Sequence, residues 1–162
     1  MGKRADISSP YVWKSYEDSQ VEAAALGSFL NGLGIQPNDR VGLSGKNAPE
    51  YLTAIQGCYH AGVTTVPIYD TFGEVECKYI MKQADVKCVF VSAANLSNIL
   101  EWSKEVDSVK TIVVWGGGGS PETDDKVVTY EACVGLGKAS PVDATPSTAE
   151  DLAIIMYTSG TT

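Results

Sequence analysis

The residues that decide the fold are Leu152-Ala153-Ile154-Ile155-Met156-Tyr157-Thr158-Ser159-Gly160-Thr161-Thr162, the last stretch of the 162-residue sequence. The apolar first half, residues 152–157, is long enough for one buried β-strand. In the polar half, Gly160 lets the backbone approach a ligand closely. The Ser and Thr hydroxyls can donate to phosphate oxygens, and consecutive N–H groups in a turn form an anion-binding nest. The pattern predicts a strand that ends in a phosphate-binding loop, with Thr158, Ser159, Gly160, Thr161 and Thr162 as contacts. A plain polar turn is the alternative.

Upstream of this stretch, strand and helix patterns alternate along the chain. We expect strands at residues 11–15, 41–43, 63–68, 87–91 and 111–115, and helices that start near residues 15, 47, 74, 96 and 130. Such alternation implies βαβ crossovers and an α/β fold, with a mostly parallel sheet and helices on both faces. Ligands of such sheets bind beyond the carboxyl ends of the strands. The loop at residues 158–162 is expected at such an end.

Helix boundaries and buried faces can also be predicted. Ser15 with Asp18 three residues later indicates an N-terminal cap, and Asn47 with Glu50 indicates a second one, with Pro49 in the first turn. Apolar residues at helical spacing are expected to face the core: Val21, Ala25 and Phe29 in the first helix, Leu52, Ile55 and Tyr59 in the second, Val75, Tyr79 and Ile80 in the third.

Several segments resemble one enzyme family. Tyr157-Thr158-Ser159-Gly160-Thr161-Thr162 is similar to the opening of the nucleotide-binding signature of adenylate-forming (AMP-binding) enzymes. The segments Val66-Pro67-Ile68-Tyr69-Asp70-Thr71-Phe72-Gly73, Asp39-Arg40-Val41-Gly42 and Lys46-Asn47-Ala48-Pro49-Glu50 resemble the long-chain acyl-CoA synthetase branch. The resemblance implies that residues 11–162 form part of the large N-terminal adenylation domain of such an enzyme. Residues 1–10 are polar and are expected to form a loose segment. We therefore interpret the chain as an N-terminal fragment.

The resemblance also implies an activity. Such a ligase activates a fatty acid with ATP and Mg²⁺ to an acyl-adenylate, and coenzyme A then displaces AMP to give a thioester. The loop matched by residues 158–162 would hold the ATP phosphates, and no catalytic residue or metal ligand is identified. The fragment alone is expected to make no acyl-adenylate. Two alternatives stay open: an adenylate-forming ligase with a medium-chain or aryl acid substrate, and a non-catalytic α/β binding module.

Composition limits the kinds of binding partner and the cellular compartments that we expect for this protein. A net charge of −8 argues against nucleic-acid binding, which needs clustered Lys and Arg. The sequence shows no secretory signal and no apolar run that could span a membrane, so we expect a soluble protein, cytoplasmic or peripheral to an intracellular membrane. Oligomeric state and peripheral membrane association stay open. The cysteines lack the spacing of a zinc site and are expected to be reduced and buried: Cys58, Cys77, Cys88 and Cys133.

Three further features favour structural interpretations. Glycines 116–119 follow a strand, but Pro and acidic residues follow them where a dinucleotide fold needs a helix, so a surface loop is expected. His60 has no nucleophile motif around it and is expected to be a surface or boundary residue without a catalytic role. Residues 69–73 are expected to form a turn at the ligand-binding edge of the sheet.

Strands of the parent domain that are missing from this chain would leave an edge of the sheet exposed. We therefore expect the isolated chain to aggregate.

Overall fold

The computed structural model describes residues 1–4, 8–117 and 124–158. Strands and helices alternate in the described part as the sequence predicts. The strands are β1 (Gly2–Lys3), β2 (Val12–Trp13), β3 (Arg40–Ser44), β4 (Thr64–Pro67), β5 (Val86–Ser92), β6 (Thr111–Trp115) and β7 (Val127–Thr129). The helices are α1 (Tyr16–Gly32), α2 (Pro49–His60), α3 (Glu74–Gln83), α4 (Leu96–Ser103) and α5 (Tyr130–Ala139).

The main sheet is parallel throughout, in the order β4-β3-β5-β6-β7. Successive side chains of a strand point to opposite faces, and each face has its own core. Cys88 and Phe90 of β5 pack in one core with α1, α2 and α5, whereas Val89 and Val91 pack in the other with α3 and α4. Helices therefore cover both faces, and the predicted α/β class is confirmed.

Two strands are present that the sequence patterns did not indicate. β7 adds to the far edge of the sheet beside β6, and it has only three residues, too few to show a period. β1 lies within the segment expected to be loose, and it pairs with β2 in an antiparallel ribbon. The isolated ribbon is small, and the ion pair from Lys3 to Glu50 of α2 (2.8 Å) ties it to the rest of the fold.

The strand predicted at residues 152–157 is wrong. Only an isolated parallel bridge between Thr65 and Ile154 forms there. Thr65 N–H donates to the carbonyl of Ala153 (3.1 Å), and Ile155 N–H donates to the carbonyl of Thr65 (2.9 Å). The next bond of a parallel ladder would need an N–H at Pro67, and proline has none. The ladder therefore stops after one bridge, although the segment still runs along the edge of β4.

Of the two predicted helix caps, one is confirmed. The Ser15 hydroxyl accepts from Asp18 N–H at 2.9 Å, and the Asp18 carboxylate accepts from Ser15 N–H at 3.3 Å, which completes a capping box. The Asn47 cap is wrong, because Ala48 occupies the N-cap position and no side chain bonds there. The proline that follows lacks an N–H, so one of the unsatisfied donors of the helix start is absent.

The buried faces of α2 and α3 differ from the predicted ones. In α2 the small residues Ala54, Gly57 and Cys58 are buried, whereas Leu52 and Tyr59 are 46% and 36% exposed. A Cβ atom at Gly57 would stand 2.7 Å from the Leu26 Cβ of α1, so only a face without large side chains lets the two helices approach this closely. The expected inward residues of α3 are also largely wrong: Ile80 is buried together with Cys77 and Met81, but Val75 and Tyr79 are exposed, as is Val21 of α1.

Candidate functional site

The carboxyl ends of the parallel strands form one edge of the sheet, where ligands of such folds bind. β3 ends there at Ser44, and the turn at residues 69–73 follows β4 there as predicted. In this turn Phe72 N–H donates to the carbonyl of Tyr69 (3.1 Å), and the two rings meet edge to face with centroids 5.2 Å apart. Gly73 then forms the N-cap of α3. The turn therefore links the edge of the sheet directly to the start of α3.

The strand order places a topological switch point between β3 and β5, because the chain leaves β3 to one side for β4 and returns on the other side for β5. Asn95, just after β5, donates from Nδ2 to the Ser44 Oγ across this point at 3.3 Å. The cavity beside them has a volume of about 30 Å³, and Phe72 and Trp102 are in its wall. This space suits about one water molecule, so it does not hold a nucleotide. Sequence reasoning missed Ser44 and Asn95, since strand order cannot be read from local patterns.

The segment at residues 152–158 lies outside this crevice, along the free edge of β4. Because its bridge to Thr65 is parallel, its last described residues run toward the carboxyl edge. Thr158 is exposed, so its hydroxyl is open to a ligand. Ser159, Gly160, Thr161 and Thr162, the other predicted phosphate contacts, lie outside the described residues. The predicted loop therefore starts on the expected side of the sheet, and its phosphate contacts stay a prediction.

Threonine hydroxyls of β4 strengthen the attachment of this segment. Thr64 Oγ1 donates to the carbonyl of Leu152 at 2.9 Å, and Thr65 Oγ1 donates to the carbonyl of Ala153 at 3.1 Å. Both threonines are buried. Hydroxyl bonds to the backbone thus supplement a ladder that Pro67 interrupts. The sequence offers a weak signal for this role, since paired threonines in a strand are usually attributed to β-propensity alone.

Tyr157 holds the segment from the side of α3. Its hydroxyl donates to Gln83 Oε1 at 2.8 Å, and its ring meets that of Tyr79 edge to face at 6.3 Å. Burial, followed by the neighbouring Tyr79, raises the pKa of the Tyr157 hydroxyl above its usual value, so it stays a donor at neutral pH. No sequence signal could have found this pair, because 74 positions separate Tyr157 from Gln83.

A second concave region lies beneath the β1–β2 ribbon, with a volume of about 630 Å³. Four of its charged side chains form two ion pairs, Lys14 with Glu22 and Lys3 with Glu50. Burial works to raise the pKa of the Glu50 carboxyl, but the hydrogen bond from Lys3, a backbone hydrogen bond and nearby lysine charges together lower it below its usual value. The Tyr130 hydroxyl donates to Glu22 Oε2 at 3.0 Å, and burial strongly raises its pKa. These pairs fasten the ribbon to the helices.

The other residues that the sequence singled out are His60, the glycine-rich loop and the cysteines. The ring Nε2 of His60, partly buried at the end of α2, lies 3.0 Å from the carbonyl of Val142. Of the glycine-rich loop, residues 118 and 119 lie outside the described residues.

The four cysteines are free and buried, as predicted. Within the described residues no group of three His, Cys, Asp or Glu side chains is placed to hold a metal ion. No described helix is long and apolar enough to cross a membrane.

Comparison with known proteins links the whole chain to one family. A family profile described as "AMP-binding enzyme" matches residues 1–162. Long chain acyl-CoA synthetase 2 of Arabidopsis thaliana is 32% identical over 175 residues, which cover 100% of this chain and 26% of that protein. Long-chain-fatty-acid–CoA ligase 1 of Homo sapiens is 32% identical over 164 residues, covering 94% of this chain and 24% of that protein. The chain thus spans about a quarter of the length of the curated relatives it matches.

Solved structures agree with this comparison. The anthranilate CoA ligase AuaEII in complex with anthranoyl-AMP superposes with a TM-score of 0.79 at 25% identity, over 90% of this chain and 27% of that one. An acyl-CoA synthetase of Brucella canis superposes with a TM-score of 0.80 at 22% identity, over 96% of this chain and 28% of that one. The second likeness, at that identity, concerns the fold alone.

Proposed function

Because this chain belongs to the AMP-binding enzyme family, we propose that it is part of an ATP-dependent acid–CoA ligase. Such an enzyme joins a carboxylic acid to AMP with loss of pyrophosphate and then transfers the acyl group to coenzyme A. Within it, residues 11–162 would form part of the adenylation domain. The observation that carries the proposal is the position of Thr158: exposed, at the end of a segment that β4 directs toward the carboxyl edge of the sheet.

The contribution of this chain to the reaction is to bind and orient phosphate. We assign that role to the loop of Thr158, Ser159, Gly160, Thr161 and Thr162. Backbone N–H groups and hydroxyls of such a loop donate to the ATP phosphates and neutralise the charge that develops on the departing pyrophosphate. ATP, Mg²⁺ and coenzyme A are the cofactors and co-substrates we propose.

We propose a long-chain fatty acid as the substrate. Support comes from residues 66–73, which resemble the long-chain branch, and from relatives named as long-chain synthetases at 28 to 35% identity. The turn these residues form lies at the carboxyl edge, beside the start of α3. An aryl acid is the alternative within the same reaction, since the anthranilate ligase is similar in fold and sequence. The free cysteines suit a reducing compartment, which favours a cytoplasmic or peripheral membrane location.

The test is pyrophosphate exchange into ATP by the full-length polypeptide, with acids of graded chain length and with benzoate and anthranilate. We expect exchange that depends on a long-chain acid. Thr161→Val keeps the side-chain size and removes one hydroxyl donor, and it should lower exchange about tenfold or more. Ser97→Ala, on the exposed surface of α4, is the matched control and should have no effect. Exchange only with aryl acids would overturn the substrate, and no exchange with any acid would overturn the function.

The 162-residue chain by itself should make no acyl-adenylate, because it spans only about a quarter of the length of the curated ligases it matches. Incubation with ATP and fatty acid, followed by mass spectrometry for the adenylate, tests this directly. A stoichiometric adenylate signal would contradict the prediction and would mean that these residues contain the whole catalytic site.

A further inference from the structure

We propose that Gln83 and Tyr79 of α3 are positioning residues for the phosphate-binding loop, and that they act on it through Tyr157. The inference rests on the proposed function, because it assigns a task to residues around a loop that binds ATP phosphates. The contacts that support it do not involve the loop itself. A hydrogen bond of 2.8 Å and an edge-to-face ring contact join α3 to Tyr157, the residue before Thr158.

Few hydrogen bonds hold this segment among the described residues. β4 restrains the segment through bonds to Leu152, Ala153 and Ile155, and then Pro67 ends the ladder. Among the described residues, the restraints on the segment beyond Ile155 come from Tyr157, which bonds to Gln83 and packs against the core on the α3 side of the sheet. The direction in which the chain enters the loop therefore depends on the Tyr157 side chain.

The ring contact explains an exposed aromatic residue on α3. Tyr79 is 56% exposed and does not point into the core, although its spacing predicts that it should. Its ring instead stands at 86° to that of Tyr157, with centroids 6.3 Å apart. Edge-to-face pairs of this kind have a preferred orientation. Together with the bond to Gln83, one helical turn further along α3, the contact fixes both the position and the tilt of the Tyr157 ring.

This arrangement connects two parts of the candidate site. α3 starts at the turn of residues 69–73, at the carboxyl edge, and ends at Gln83, which holds Tyr157. A shift of α3 along its axis would therefore move the residue that precedes Thr158. A positioning role predicts a loss that is specific for ATP, because the acid and coenzyme A do not depend on the entry angle of this loop.

The experiment uses the full-length polypeptide and steady-state kinetics with each substrate varied in turn. Tyr157→Phe removes only the hydroxyl, Gln83→Leu removes only the acceptor, and Gln83→Glu keeps an acceptor oxygen at the same place. Gln20→Leu, the same change at an exposed position of α1, is the matched control. Thermal unfolding of every variant separates a change in stability from a change in kinetics.

We expect Tyr157→Phe and Gln83→Leu each to lower kcat/KM for ATP about three- to tenfold, the range of one ordinary hydrogen bond. KM for the fatty acid and for coenzyme A should stay unchanged. The double variant should be no worse than either single variant, because both remove one interaction. Gln83→Glu should recover most of the loss.

Three results would overturn the inference while the wild type stays active: unchanged ATP kinetics in both variants, equal losses for all three substrates, or additive losses in the double variant. A wild-type enzyme without acid-dependent pyrophosphate exchange would instead overturn the proposed function, and the positioning role with it. The two failures are therefore distinguishable by the wild-type measurement alone.

Discussion

Gly137 of α5 lies directly against the backbone carbonyl of Ala25 in α1. A Cβ atom added to Gly137 would stand 1.8 Å from the Ala25 oxygen and 2.5 Å from its carbonyl carbon. Real Cβ atoms do not approach oxygen this closely, and a backbone carbonyl in the middle of a helix cannot move aside as a flexible side chain can. The absence of a side chain at position 137 therefore sets the distance between α1 and α5.

This contact predicts a severe effect of Gly137→Ala. The added methyl group must push α5 away from α1, so the free energy of unfolding should fall by about 3 kcal/mol, the upper end of the usual cost of overpacking. Urea unfolding followed by circular dichroism measures the change. Gly135→Ala, on the exposed side of the same helix with no atom near the added carbon, is the matched control and should be stabilising by up to about 1 kcal/mol. Equal effects of the two substitutions would contradict the close contact.

Replacing Pro67 should extend the pairing between β4 and the segment at residues 152–157. In Pro67→Val the residue has an N–H on the side of β4 that faces Ile155, so it can donate to the Ile155 carbonyl and extend the one-bridge pairing. Amide hydrogen exchange at residues 155–157 should then slow by about tenfold. Pro37→Val, in the loop before β3, is the control and should leave these amides unchanged. Unaltered exchange in Pro67→Val would show that something other than the missing donor ends the ladder.

The ion pair of Lys3 with Glu50 predicts a pH dependence. The folded-state pKa of Glu50 is below its usual value of 4.5, so ionised Glu50 contributes stability above pH 4.5 that is lost as the pH falls through the folded pKa. Lys3→Met removes the hydrogen bond and the charge but leaves the burial, which raises the pKa. The melting temperature of the variant should therefore rise less steeply between about pH 3 and pH 6, or should fall.

The control for this pH series is Lys110→Met, which removes an exposed lysine just before β6. Its melting profile should keep the slope of the wild type. A carbon-13 NMR titration of the Glu50 carboxyl provides the direct measurement. A Glu50 pKa that is unchanged in Lys3→Met would show that Lys3 does not set it.

We expect the four cysteine thiols to be alkylated slowly in the folded protein. All four are buried, and burial raises the thiol pKa to about 12 for Cys58 and Cys133 and to about 11 for Cys77. Since the thiolate is the reactive form, iodoacetamide at pH 8 should label the native chain at least about a hundredfold more slowly than the unfolded chain. Mass spectrometry counts the labels. Ser97→Cys, on the exposed face of α4, should add one rapidly labelled thiol. Rapid labelling of a wild-type cysteine would contradict its burial.

Local patterns predicted most elements but not their buried faces. The strand at residues 111–115 matches β6, and the box of Ser15 and Asp18 starts α1 as expected, because both depend on neighbouring residues. Leu52 and Tyr59 failed as core residues because small residues, not large ones, face α1 in α2. Residues 152–157 failed as a strand because the missing donor belongs to Pro67, far away in the sequence. Of the candidate site, the phosphate contact of Thr158 stays a prediction, and the contact of Gln83 with Tyr157 had no sequence signal.

The sequence by itself determined the α/β class, the alternation of strands and helices and the family resemblance. Each depends on periodicity, on local hydrogen bonds or on a contiguous motif, all of which a single stretch of chain contains. The tertiary structure alone decided the strand order, the small cavity at the switch point beside Ser44 and Asn95, and the contact of Tyr157 with Gln83. These depend on distances between residues that are remote in sequence, and such distances arise only when close packing brings helices and strands together.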